Sequence, residues 1–153
     1  MGSYVNKNLG ANETVIAETR YHLLIMFLRP GILVLVAIAL FIFGGEDLGF
    51  IAIIPVVLAV IAFLSSFIKY ISTEIALTSN RVIVKAGFIS RSASDISLKK
   101  VEGIDVKQSI LGRIFNYGSM KVRGTGSGDV WYSGISNPYG FQKAVNEKLS
   151  ETP

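Results

Sequence analysis

Leu48 to Ile68 carries no charged residue over 21 positions. As a helix rising 1.5 Å per residue, that run is about 31 Å long, matching a bilayer hydrocarbon core of about 30 Å. Leu, Ile, Phe and Val each favour insertion by about 0.3–0.6 kcal/mol at mid-membrane. The run therefore predicts a transmembrane helix. Pro55 falls inside it, which a membrane helix tolerates when a neighbouring helix or a kink re-satisfies the freed backbone.

A second apolar stretch precedes this one. Pro30 to Phe43 is apolar for 14 residues and Tyr21 to Leu28 is apolar too, but Arg29 stands between them. An Arg at mid-membrane costs at least about 2.5–3.5 kcal/mol on insertion scales. We therefore expect Arg29 to snorkel to the interface, with Pro30 in the first helical turn and Tyr21–Leu28 oblique in the headgroup zone. The alternative is a kinked helix with Arg29 facing a protein cavity. Gly44-Gly45-Glu46-Asp47 is a short connection, so the spans, about 26–43 and 48–68, are predicted to be antiparallel neighbours. The expected organisation is an N-terminal segment over 1–20, a transmembrane hairpin over 21–70 and a cytoplasmic domain over 71–153.

Basic residues set the orientation. The connecting loop has none, whereas Lys7, Arg20 and Arg29 flank the hairpin on one side and Lys69, Arg81 and Lys85 on the other. Both termini are predicted to be cytoplasmic, with the chain crossing the membrane twice. The late start of the apolar run and the second span after it argue against a signal peptide. Asn12-Glu13-Thr14 fits a glycosylation sequon but would face the cytoplasm.

Composition excludes several functions. There is no cysteine and one histidine, which removes disulfides, thiolate metal sites and a Cys nucleophile, and leaves little for a Ser-His-Asp site. No cofactor and no metal are expected. Charged residues are 17% against roughly 25% for an ordinary soluble domain, and mean hydropathy is +0.49.

After Tyr70 the hydrophobic period becomes two. Thr73–Thr78 and Arg81–Ala86 read as strands around Ser79-Asn80. Phe88–Leu98 and Val101–Gln108 follow. Ser109 is placed to cap a short helical turn, Ile110 to Phe115, ended by Asn116-Tyr117-Gly118. Ser119–Gly124 and Asp129–Ser136 form a hairpin. Asn137-Pro138 opens a helix with Phe141, Ala144, Val145 and Leu149 on one face. Six short strands and one helix predict a bent sheet closed into a small sandwich or barrel. Thr14–Thr19 is a possible seventh strand.

The stretches Leu77-Thr78-Ser79-Asn80-Arg81-Val82-Ile83, Gly87, Ile96-Ser97-Leu98, Val101 to Gly112, Tyr117-Gly118 and Gly124 come in a telling order. With the leading Ser3-Tyr4-Val5 and the later His22…Arg29-Pro30, they resemble the bacterial pleckstrin-homology-like family in its membrane-anchored type. The likeness covers nearly the whole chain; it departs at Leu23, where an aromatic is expected. It implies a membrane protein of α+β class: a two-helix transmembrane hairpin followed by a PH-like β-barrel or sandwich with a C-terminal capping helix. Eukaryotic relatives of that fold often bind phosphoinositides through basic residues in the first hairpin loop. Here that loop is read as Thr78-Ser79-Asn80-Arg81, with one basic residue, so the property is not carried over.

Other constellations are weaker. Gly124-Thr125-Gly126-Ser127-Gly128 lacks the Lys-Ser/Thr and the following helix of a phosphate loop. Asp95, Glu102, Asp105 and Asp129 are widely spaced on alternating strands. The basic residues say more: positions 71–153 hold eleven Lys/Arg and seven Asp/Glu, so the net charge of +4 sits there. Lys99, Lys100, Lys121 and Arg123, with Arg29, are the candidate contacts to membrane or partner. A basic domain beneath an anionic leaflet gains about 1 kcal/mol per basic residue near the surface. Reversing Lys121 and Arg123 is expected to abolish such binding without changing stability. The scattered basic residues do not suit nucleic acid. The function expected is a membrane-anchored, non-enzymatic interaction module that binds a protein partner, itself or lipid headgroups. The alternative is a subunit of a small oligomeric channel or transporter.

Overall fold

The computed structural model describes residues 5, 8–10, 13–45, 50–87, 92–125 and 130–151. It forms two compact units, Leu23–Ile71 and the combination of Met1–His22 with Ser72–Pro153.

The first unit is a pair of apolar helices. Helix α1 runs over Leu23–Phe43 without a break, and α2 runs over Ile53–Ser72 behind a 3-10 turn at Phe50–Ala52. Both are long and apolar enough to cross a membrane, with mean hydropathies of 2.6 and 2.8. The helix begins at Leu23, so Pro30, expected in the first helical turn, lies in its interior. Leu, Met and Phe before the proline hold helical geometry, and Pro30 removes the bond to a single carbonyl. Pro55 instead falls in the first turn of α2, where the amide has little helical demand. Phe63 stacks with Phe67 and meets Phe27 of α1, at ring centroid distances of 6.2 and 5.9 Å. Most large side chains point outward; Phe41, Phe43 and Phe50 are 73–86% exposed.

The second unit contains two antiparallel sheets. Strands β1 (Val15–Arg20), β2 (Glu74–Thr78), β3 (Arg81–Ala86) and β4 (Ser92–Ser97) form one in that order. Strands β5 (Val101–Lys107), β6 (Tyr117–Gly124) and β7 (Tyr132–Ser136) form the other. A five-residue helix α3 (Ile110–Ile114) lies between β5 and β6, and α4 (Pro138–Glu151) ends the chain.

Thr14–Thr19 thus contributes the larger part of a strand. Arg20 of β1 lies opposite Glu74 of β2, so the apolar helices are inserted between two hydrogen-bonded neighbours. The β unit therefore begins upstream of the hairpin, not at residue 71. The two sheets meet along β1 and β7. Tyr21 bridges Ile135, the His22 amide donates to the Gly134 carbonyl at 2.7 Å, and the Thr19 hydroxyl donates to the Ser136 carbonyl. Gly134 allows this closure: its φ is +77°, and a Cβ there would stand 2.6 Å from the Tyr21 ring.

Alternation places Ile75, Leu77, Val82, Val84, Ile104, Met120 and Ile135 in one core, which Phe141 and Val145 of α4 cover. Ala76 is buried with Ile83, and Val5 packs over them. Asn137 begins α4 as expected, its side-chain oxygen accepting from the Gly140 amide at 3.3 Å.

Candidate functional site: two ends of the β unit

Strand direction gives the β unit two ends. One carries the Thr78–Arg81 turn, the 3-10 turn Leu98–Lys100 and the end of β6. The other carries Arg20–His22, Glu74, Lys107, α3 and Tyr117.

At the first end Arg81 is fully engaged. Its Nε and Nη2 donate to both carboxylate oxygens of Glu13, at 3.0 and 2.8 Å. Nη2 also donates to the Asn8 carbonyl, and Nη1 to Asp95, each at 2.8 Å. The Thr78 hydroxyl lies 2.6 Å from Glu13, and the Gly10 amide donates to the carboxylate at 2.9 Å. The Glu13 side chain is only 5% exposed. Its hydrogen bonds to Arg81 outweigh the opposing desolvation, and with Thr78 and Gly10 they hold the carboxyl down at about 2. This constellation fastens the segment before β1 onto the β2–β3 turn. Sequence reasoning missed it, since the partners lie 68 residues apart.

The candidate contacts divide. Lys99 and Lys100 are exposed in the 3-10 turn. The Thr125 amide donates to the Lys100 carbonyl at 3.0 Å, so the turn adjoins the end of β6, where Arg123 lies. Arg123 and Lys121 converge on Asp105, at 3.7 and 3.9 Å. Lys121 also stands 5.6 Å from the Trp131 ring centroid, and Lys107 stands 4.2 Å from it. The Lys121 side chain is 18% exposed. Arg29 is exposed on α1, in the other unit. Burial pushes the Tyr132 phenol above its ordinary range.

At the second end the His22 and Tyr117 rings are 5.6 Å apart. The Ser109 hydroxyl caps α3 by accepting from the Gly112 amide at 3.1 Å, as the sequence suggested. Within the Asn116-Tyr117-Gly118 stretch that ends the turn, the left-handed residue is Asn116, with φ 55°. Gln108 reaches across to the Tyr117 carbonyl at 3.0 Å. Residues 126–129, including most of the glycine-rich tip and Asp129, lie outside the described residues, as do Glu46 and Asp47.

Residues 22–150 match the Bacterial PH domain family. The chain belongs to that family. A solved structure from Shewanella loihica is also similar: a member of a domain-of-unknown-function family with a pleckstrin-homology domain, at 11% identity and a TM-score of 0.46, covering 95% of this chain and 90% of that one. No curated protein matches.

The loop between the first two strands of the β unit is not Thr78–Arg81 but the stretch that carries the apolar helices. The Thr78–Arg81 turn joins the second and third strands, and its one guanidinium is bound by two carboxylates and a carbonyl.

Proposed function

We propose that the protein is an integral, two-span protein of the bacterial cytoplasmic membrane with both termini in the cytoplasm. Its PH-like unit is a non-enzymatic module that binds an acidic partner. The observation that carries the reading is the apolar hairpin itself, inserted between β1 and β2 with its large side chains turned outward. Soluble monomers rarely expose apolar patches beyond about 300–600 Å², and two helices of this length exceed that several-fold, so a bilayer is the solvent that suits them.

The fate of the polar groups supports a binding rather than a chemical role. Glu13, Asp95 and Asp105 are each joined to basic side chains, and His22 lies against Tyr117. Lys99, Lys100 and Arg123 are the proposed partner contacts. They lie at the end of the seven-residue β5 away from His22, where the chain turns into its first apolar helix. Exposed and basic, they suit an acidic protein surface.

The channel alternative has less support. A groove of about 840 Å³ between α1 and α2 is lined by apolar side chains and Gly31, and Arg29 does not line it. Reporter fusions at residue 46 and at the C-terminus test the topology, with the loop outside and the end inside as the expected result. A cytoplasmic reporter active at 46 overturns it. Ion flux from proteoliposomes of the purified chain would instead favour the channel.

A further inference from the structure

The described β unit has one cluster of large apolar side chains that contributes nothing to its core. Ile110, Leu111, Ile114 and Phe115 are 82, 52, 68 and 45% exposed. They form two i,i+4 pairs, 110 with 114 and 111 with 115, so they share the outward side of α3. The fold holds them there. Gly112 is the buried foot of the helix, and a Cβ on it would stand 2.5 Å from the Tyr117 carbonyl oxygen. Ser109 caps the helix and Gln108 fastens its far side to Tyr117. Three local devices thus fix four greasy residues pointing away from the core.

The position of this cluster says what covers it. Phe115 is two residues before Tyr117, whose ring lies 5.6 Å from that of His22, and His22 is the residue before α1. Two Cα steps of 3.8 Å, the 5.6 Å between the rings and the reach of the two aromatic side chains put the Phe115 backbone within about 20 Å of His22. The Asn137 amide donates to the Asn116 carbonyl at 2.9 Å, which brings the exposed Tyr139 to the same end. Charge agrees: Lys107 and Arg113 are the charged residues nearest the cluster along the chain, and no acidic residue lies between Asp105 and Asp129. Apolar side chains flanked by cations and aromatic rings suit the headgroup boundary of an anionic leaflet.

We propose that α3 is a wedge that inserts into the membrane surface, giving the β unit a lipid contact of its own. The proposal rests on the anchored reading above and adds a second, non-spanning contact with lipid. It also separates the two ends of the β unit by role. The α3 end contacts lipid, and the Lys99–Lys100 end stays open to a partner.

The chain has no cysteine, so single-cysteine labelling is clean. Ile114→Cys, Lys99→Cys and Val57→Cys would each be made in the full chain, labelled with a nitrobenzoxadiazole fluorophore and reconstituted in phosphatidylcholine–phosphatidylglycerol vesicles. Spin-labelled lipid and aqueous iodide serve as quenchers. The expected result is strong lipid quenching at 57, lipid quenching at 114 at least about threefold above that at 99, and iodide quenching confined to 99. In a chain labelled at Leu111→Cys, adding Ile110→Ser and Ile114→Ser should reduce lipid quenching to the level of residue 99. The melting of the β unit should not change, since both side chains are exposed. If 57 is quenched by lipid while 114 is open to iodide, the wedge is wrong and the anchor stands. If 114 is shielded from both quenchers, protein covers it, and the lipid assignment is overturned. If 57 itself escapes lipid quenching, the anchored reading fails and takes the wedge with it.

Discussion

Glu13→Gln removes one charge from the constellation that fastens the segment before β1 to the β2–β3 turn. The Glu13 carboxyl falls from 4.5 to about 2, chiefly through its hydrogen bonds to Arg81. At about 1.4 kcal/mol per tenfold change in proton affinity, that drop bounds the contribution at about 3 kcal/mol. Arg81 is 28% exposed and its other partner Asp95 is 42% exposed, so water screens the pair and about 1–2 kcal/mol is the expected loss. A depressed carboxyl stabilises the fold fully above its unfolded value near 4.5, and this stabilisation fades as the pH falls towards 2. Trp131 is the only tryptophan and lies in the β unit, so its fluorescence reports that unit in the intact chain in detergent. At pH 7 the variant should melt at least about 4 °C below the wild type. The gap should narrow steadily below pH 4.5. Equal melting at pH 7, or a gap that widens on acidification, would refute the reasoning.

Two further predictions concern the closure and the second sheet. Gly134→Val puts a branched side chain at φ +77° and within 2.6 Å of the Tyr21 ring. It should destabilise the β unit by about 2 kcal/mol or more and raise hydrogen exchange in β7, and native-like exchange there would show that β1 and β7 do not depend on this contact. Lys121→Glu replaces a cation 3.9 Å from Asp105 and 5.6 Å from Trp131 with a like charge. A loss of about 1 kcal/mol, partly recovered by added salt, is expected in the Trp131 melt; an unchanged melt would restore the view of this strand face as a stability-neutral site for charge reversal.

Much of the β unit was legible because its signals are local. Strand β6 follows the period of two, Ser109 and Asn137 cap where their side chains can reach the following amides, and Phe141 and Val145 share a helical face. The role of β1 was harder to read. Val15–Arg20 is short and half polar, and its partner Glu74–Thr78 comes only after the hairpin. Nothing within six residues encodes a pairing across that distance. The same holds for Glu13 with Arg81, where each residue alone looks like a solvated charge.

Sequence by itself determined the two apolar helices, the strand alternation, the capping helix and the likeness to the bacterial PH domains. Each depends on periodicity, propensity or spacing along one stretch of chain. Only the tertiary structure decided which surfaces remain after the core is filled. Ile110, Leu111, Ile114 and Phe115 read in the sequence only as part of a short helical turn. They stay outside because Gly112 meets the Tyr117 backbone and turns the helix the other way. Lys121 and Arg123 read as an open basic face, and the opposed register of β5 and β6 brings them to Asp105. Exposure and charge pairing are properties of neighbours distant in the chain, set by how the strands and sheets come together.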